Sequence, residues 1–131
     1  MELVLDSYSL MAFFQDEPGA EKVSALLAEA ALKEKPAYLC VVNWGEIYYL
    51  TLRRGGKLVA QEAMANIQSL PIELVPADRQ LTQIAAELKA SHKMSYADAF
   101  AAALAKQKKA HLVTGDREFK PIEDEVKILW L

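Results

Sequence analysis

The chain has one cysteine and two histidines among its 131 residues, and each shortage closes off a chemistry. A lone thiol makes no internal disulfide and fits a reducing compartment. Cys40 lies in the apolar run Tyr38-Leu39-Cys40-Val41-Val42, where a thiol reads as an inert buried group. His92 and His111 share no metal-ligand spacing with it, which argues against zinc. The five glycines, Gly19, Gly45, Gly55, Gly56 and Gly115, form neither a G-x-G-x-x-G fingerprint nor a P-loop, so dinucleotide binding has no support. Long apolar runs are absent too. The longest, Ala99 to Ala105, is closed by Asp98 and Lys106 and falls far below the ~20 residues that span a bilayer. Glu2 and Asp6 interrupt the first apolar stretch, so no secretory signal is visible. The expectation is a soluble, cytoplasmic protein with no membrane partner.

An excess of positive charge is also missing. Fifteen basic residues against 18 acidic ones give a net charge of −3, which argues against tight nucleic-acid binding driven by bulk charge. A nuclease with an acidic centre and local basic patches remains compatible with that balance. The candidate patches are Arg53, Arg54 and Lys57, then Lys106, Lys108 and Lys109, then Arg117 and Lys120. Taken singly, each reads as a solvated helix end, where cations are favoured.

What the chain does have is the composition of a globular protein, with 53% apolar and 25% charged residues, and a length that suits one domain over 1–131. Five short β-rich runs stand out: Glu2–Leu5, Ala37–Val42, Ile72–Val75, His111–Thr114 and Val126–Leu131. Between them lie stretches of helical period. Residues 21–32 place Val23, Leu26, Leu27 and Ala30 on one face. A helix is expected from Gly45 to about Leu52, broken by Gly55-Gly56, and another from Lys57 to Ser69. Asp78 is the expected N-cap of a helix through about Ala90, and Ser95 of one through about Lys109. Strands alternating with helices predict an α/β fold whose central sheet is mainly parallel and covered on both faces. The helix after Ser95 is apolar nearly all round, from Ala97 through Ala105, as a centrally buried helix would be.

Four acids stand where strands give way to helices: Asp6, Glu46, Asp98 and Asp116. Each has a structural explanation when considered alone. Ser95-Tyr96-Ala97-Asp98 fits a capping box, Asn43-Trp44-Gly45-Glu46 is cap-like with Asn43 as N-cap, and Asp6 and Asp116 suit the caps of following turns. Taken together they point further, because in a parallel α/β sheet those positions share the carboxyl edge, where such folds build their sites. Four carboxylates gathered there repel one another unless a divalent cation neutralises them. A set of oxygen donors with no histidine or thiol suits Mg²⁺ or Mn²⁺. Ser7, Ser9 and Thr114 supply hydroxyls that could orient the ligands. Arg53, two turns after Glu46 on roughly the same face, is a candidate to meet substrate phosphate, with an ion pair as the competing reading; Arg117, beside Asp116, is a candidate to support either the ligands or the substrate. Trp44, Tyr48 and Tyr49 could stack on bases, although aromatics at helical spacing more often pack against a core or a second subunit.

These strings resemble the PIN-domain family, specifically the small prokaryotic type found in VapC-like toxins of toxin–antitoxin pairs. Leu5-Asp6-Ser7, the helix start at Glu46, the run from Ser95 to Ala105 and Thr114-Gly115-Asp116-Arg117-Glu118-Phe119 carry the likeness, which spans essentially the whole chain. One departure is Asn43, where Ser or Thr is commoner. The resemblance implies a three-layer α/β/α fold and a Mg²⁺- or Mn²⁺-dependent ribonuclease. It implies that Asp6, Glu46, Asp98 and Asp116 hold one or two metal ions, with some contacts through water. It also implies an antitoxin partner lying over the acidic groove, and a homodimer. Two rival classes compete with this reading. A phosphorylation-controlled receiver needs an acidic pair after the first strand and an Asp after the third, but Asp6 precedes Ser7 and the third strand ends Val75-Pro76-Ala77. A catalytically idle PIN-like module acting through protein contacts is opposed by the presence of all four acids.

Overall fold

The computed structural model describes all residues, 1–131. Its sheet has five strands, β1 (Leu3–Leu5), β2 (Ala37–Cys40), β3 (Ile72–Val75), β4 (His111–Thr114) and β5 (Ile128–Trp130), in the order β3-β2-β1-β4-β5. Every neighbouring pair is parallel. The fold is therefore α/β with a wholly parallel sheet, as the alternation of strands and helices predicts. The helices are α1 (Ser7–Phe14), α2 (Ala20–Leu32), α3 (Val41–Gly55), α4 (Lys57–Ser69), α5 (Arg79–Ser91) and α6 (Tyr96–Lys108), and a 3₁₀ turn covers Arg117–Ile122. None is long and apolar enough to cross a membrane.

Two cores flank the sheet, because successive strand residues face opposite sides. Val4, Cys40 and Leu112 pack with Leu81, Ala85 and Leu88 of α5 and the body of α6. Leu3, Leu5, Leu39 and Val113 pack on the other side with Leu10, Val23, Ile47 and Ile67, which come from α1 to α4. The result is three layers. Helix α6 is buried from Asp98 through Ala105, as its all-round apolar composition predicts. Four of those positions are alanines beyond Ala99, and small side chains bring the helix backbone close to the sheet. A larger residue at Ala102 would overpack this contact, at about 1–3 kcal/mol.

The bounds of β1, β2, α3 and β5 differ from the sequence expectation, β1 starting at Leu3 and β5 covering only Ile128–Trp130. Strand β2 ends at Cys40, not Val42, and α3 starts at Val41. Cys40 pairs with Val75, the last residue of β3, and the residue after it is Pro76, which has no N–H to extend the ladder. With no strand partner, Val41 and Val42 enter the helix. Asn43 consequently lies inside the first turn and is not the N-cap; Cys40 holds that position without a side-chain cap bond. Helix α3 also runs on to Gly55, and the break falls at Gly56, whose φ of +88° turns the chain into α4.

Candidate active site

The strand order reverses between β1 and β4, and a parallel sheet opens a crevice outside the carboxyl ends at such a switch point. Asp6 directly follows β1. Asp116 follows β4 by two residues. The register pairs Leu5 with Val113, which brings Asp6 beside Thr114. The Thr114 hydroxyl donates to Asp6 Oδ2 at 2.5 Å and accepts from the Asp116 N–H at 3.0 Å. One buried hydroxyl thus ties the two aspartates to each other.

Asp6 is 1% exposed and caps α1, with the Ser9 N–H donating to Oδ1 at 2.8 Å. Burial pushes its pKa up to about 7, against the lowering effect of the bonds from Thr114 and Ser9, and the nearby Asp98 raises it further. Ser95 caps α6 by accepting from the Asp98 N–H at 3.1 Å. Only that half of the expected capping box forms, since the Asp98 carboxylate faces other acids. Its pKa rises to about 6, first through burial and then through the charge of Asp116, with Glu46 and Glu118 adding to it. Asp116 caps the 3₁₀ turn by accepting from the Glu118 N–H at 2.9 Å. Glu46 sits in the second turn of α3 and accepts a hydrogen bond from Ser7. It does not reach back to Asn43.

Asp98, Asp116 and Glu118 each present a carboxylate oxygen within 4.8 Å of the others, a spacing that can hold a cation. They line an open groove of about 500 Å³ together with Glu46, Ser7 and Tyr8. Asp6 lies buried beneath. The donors are all hard oxygens, and the two buried carboxylates bear raised pKa values, so the set fits a cation such as Mg²⁺ or Mn²⁺. Gly115 leaves room for the Tyr8 ring, since a Cβ there would lie 2.5 Å from Tyr8 Cε1.

Of the remaining candidates, Ser7, Ser95 and Thr114 all touch the acids as described. Asn43 is fully buried and donates from Nδ2 to the Ala97 carbonyl at 3.1 Å, which ties the first turn of α3 to the residue before Asp98. Arg53 is turned away, its guanidinium 5.3 Å from the centre of the Tyr49 ring. It pairs with no acid. Arg54 lines the groove instead, where the Gln15 amide bridges it to Glu17 at 3.0 Å on each side. Arg117 lies beside the groove, 5.6 Å from the centre of the Trp130 ring. Trp44 and Tyr48 form a tilted pair at 5.9 Å and line a different, apolar groove with Met64 and Leu74. Sequence reasoning missed Glu118 as a groove residue and named Arg54 only as a member of a basic patch. The only available sign of Glu118 was an acid two residues after Asp116 in the first turn of a short helix.

By sequence, no curated individual protein matches this chain. By structure, it is similar to VapBC2 from Rickettsia felis, a complex bound to a promoter DNA fragment, with a TM-score of 0.79, 18% identity and 98% of each chain covered. It is also similar to VapC20 from Mycobacterium tuberculosis, a toxin that cleaves the sarcin–ricin loop, with a TM-score of 0.73, 19% identity and 92% and 94% of the chains covered. A third likeness is to VapBC-1 from nontypeable Haemophilus influenzae, with a TM-score of 0.71, 14% identity and 99% and 98% covered. At these identities the likeness is one of fold. The PIN domain family model matches residues 3–125, so nearly the whole sequence, including all four acids, aligns to it, and the chain belongs to the PIN-domain family.

Proposed function

We propose that this chain is a Mg²⁺- or Mn²⁺-dependent ribonuclease and the toxin of a toxin–antitoxin pair. The observation that carries the reading is the convergence of Asp6, Glu46, Asp98 and Asp116 at the switch point, with two of them held at pKa values of about 7 and 6. Burial and mutual repulsion of that size are what a divalent cation relieves. Membership of the PIN family supports the metal and the nuclease class, and the fold shared with VapC20 supports a toxin that cuts RNA.

Asp98, Asp116 and Glu118 would hold the cation, with Asp6 and Glu46 completing the set. When bound, the metal supplies Lewis acidity to a phosphate oxygen and lowers the pKa of a coordinated water. The chain's own groups do the rest. Thr114 fixes both Asp6 and Asp116, Ser7 orients Glu46, and the Ser95 cap holds Asp98 on a helix too well packed to shift. Tyr8 and Arg54 stand on the groove wall, where an extended strand of RNA would pass.

The antitoxin is proposed from the fold shared with toxins of VapBC complexes, and the homodimer and cytoplasmic location accompany that reading. Purified protein incubated with RNA in Mn²⁺ and in EDTA tests the activity. Cleavage is expected only with metal, and Asp98→Asn should reduce it to background while keeping the fold. Metal-independent cleavage, or an Asp98→Asn variant as active as wild type, would remove the reading.

A further inference from the structure

The acidic groove presents a charge problem to any polyanion. Glu17, Glu46, Asp98, Asp116 and Glu118 line it, against the single cation Arg54. A divalent ion offsets part of that charge at the reacting phosphate, and within the groove Arg54 alone remains to attract the phosphates on either side. The rest of the attraction has to come from next door.

A second open depression adjoins the groove and shares Ser95 and Glu118 with it. Its charged members are Lys93, Arg117, Lys120 and that same Glu118, so cations outnumber carboxylates three to one. All three cations are exposed, and none forms an ion pair. Lys33 and Lys106, by contrast, are each paired with a glutamate. Arg117 is held at one side by Trp130, whose ring spends no hydrogen bond on the guanidinium and leaves its donors free. The placement follows from the sequence. Lys93 stands two residues before the Ser95 cap that delivers Asp98, and Arg117 and Lys120 belong to the turn that Asp116 caps. The two segments that bring acids into the groove also set cations just outside it.

We infer that the Lys93–Arg117–Lys120 shelf binds the backbone phosphates of single-stranded RNA flanking the scissile bond. The inference rests on the ribonuclease reading for the direction of the strand, but its binding claim can be tested apart from cleavage. Phosphate contacts of this kind position a strand without reading its sequence, so they raise affinity uniformly and make it salt-dependent. Each neutralised phosphate on a single strand contributes about 0.7 to the slope of log K against log salt.

The test uses a labelled mixed-sequence single-stranded RNA in Mg²⁺, with Asp98→Asn as the parent so that bound RNA survives. Binding is measured over a range of salt for the parent, for the parent carrying K93Q, R117Q and K120Q, and for a control carrying K35Q, K109Q and K127Q. The control cations sit in loops that lead into strands, at the opposite edge of the sheet. Loss of the shelf should weaken binding about tenfold or more at low salt and reduce the slope by up to about 2, while the control stays near the parent. Equal losses in shelf and control variants would reduce the effect to bulk charge and overturn the inference. So would an unchanged slope, or a parent that does not bind. Unchanged melting temperatures verify the fold, and the single variants R117Q and K120Q repeat the comparison if the triple variant melts early. Cleavage of the same RNA by wild type in Mn²⁺ is read alongside. Binding that depends on the shelf without any cleavage would end the nuclease reading and leave the shelf standing.

Discussion

Asp6 and Asp78 perform the same local task and differ in everything else. Each follows a strand closely and caps the helix behind it, through a bond from the Ser9 N–H at 2.8 Å in one case and the Leu81 N–H at 2.9 Å in the other. Asp78 is exposed, just past the outer strand β3, and its second oxygen accepts no hydrogen bond from the chain. Asp6 is buried at the switch point, its second oxygen accepts from Thr114, and its pKa stands near 7. A cap geometry therefore says nothing about function by itself. What separates the two is strand order, which buries one carboxylate beneath three others and leaves its twin at the rim.

The largest expected difference is in metal response. Asp6→Asn should abolish divalent-dependent cleavage and weaken stabilisation by Mn²⁺, whereas Asp78→Asn should alter neither. The pH dependence separates them further. A carboxylate pKa raised from 3.8 to about 7 means that the native state keeps a proton the unfolded chain has lost. Metal-free stability should therefore fall as pH rises from about 4 to 7 and level off above that, with Asp98 adding to the fall up to about pH 6. Metal bound only by the native state should reverse the loss by roughly RT ln(1 + [L]/Kd). Asp6→Asn should be as stable as wild type, or more so, at pH 8 in EDTA, and its melting temperature should vary less with pH. Melting curves at pH 5 and pH 8, each in EDTA and in Mn²⁺, check all of this. A wild-type melting temperature indifferent to both pH and metal would refute it.

The same contrast explains what could be read from the sequence. Strand-ending acids identified Asp6 and Asp116, and the Ser95 string identified Asp98, because each stands at a junction that period and capping rules locate. The errors lie where tertiary geometry decides. Arg53 shares a helical face with Glu46 by angle, but the groove follows the i, i+4, i+8 row through Glu46, Leu50 and Arg54, a row inclined to the helix axis. Asn43 is not the cap because Pro76, just past the end of β3, stops the ladder that would have kept Val41 extended. Glu118 depends on a 3₁₀ turn that has no periodic signal. The hydroxyls of Ser7 and Thr114 were legible as partners of the acids, though not which acid each would serve.

A smaller effect should follow from the bond that distinguishes the two caps. Thr114→Val keeps the shape of the side chain but removes the donor to Asp6 Oδ2 and the acceptor of the Asp116 N–H. The buried Asp6 Oδ2 and the half-buried Asp116 N–H lose their partner, which should cost about 1–3 kcal/mol for the buried group left unsatisfied and less for the other. The carboxylate of Asp6 also loses a bond that lowers its pKa, so its titration should move upward. Metal affinity or activity should fall by about 10- to 100-fold, as for other groups that orient ligands. Thr114→Ser, which retains the hydroxyl, should recover most of the activity. A Thr114→Val variant with wild-type Mn²⁺ stabilisation would show that the threonine serves packing alone.

The smallest effect should come from the control. Asp78→Ala removes one exposed cap from α5 and should cost about 1 kcal/mol. The loss is local because Thr82 retains its own bond to the Asp78 carbonyl, and Leu81, Ala85 and Leu88 still anchor the helix against the sheet. RNA cleavage and Mn²⁺ stabilisation should equal those of wild type once compared at the same fraction folded. A change in Mn²⁺ stabilisation in Asp78→Ala would mean that α5 transmits to the acidic groove through α6, against which it packs. Position on the sheet would then not be enough to separate the two aspartates, and the comparison itself would fail.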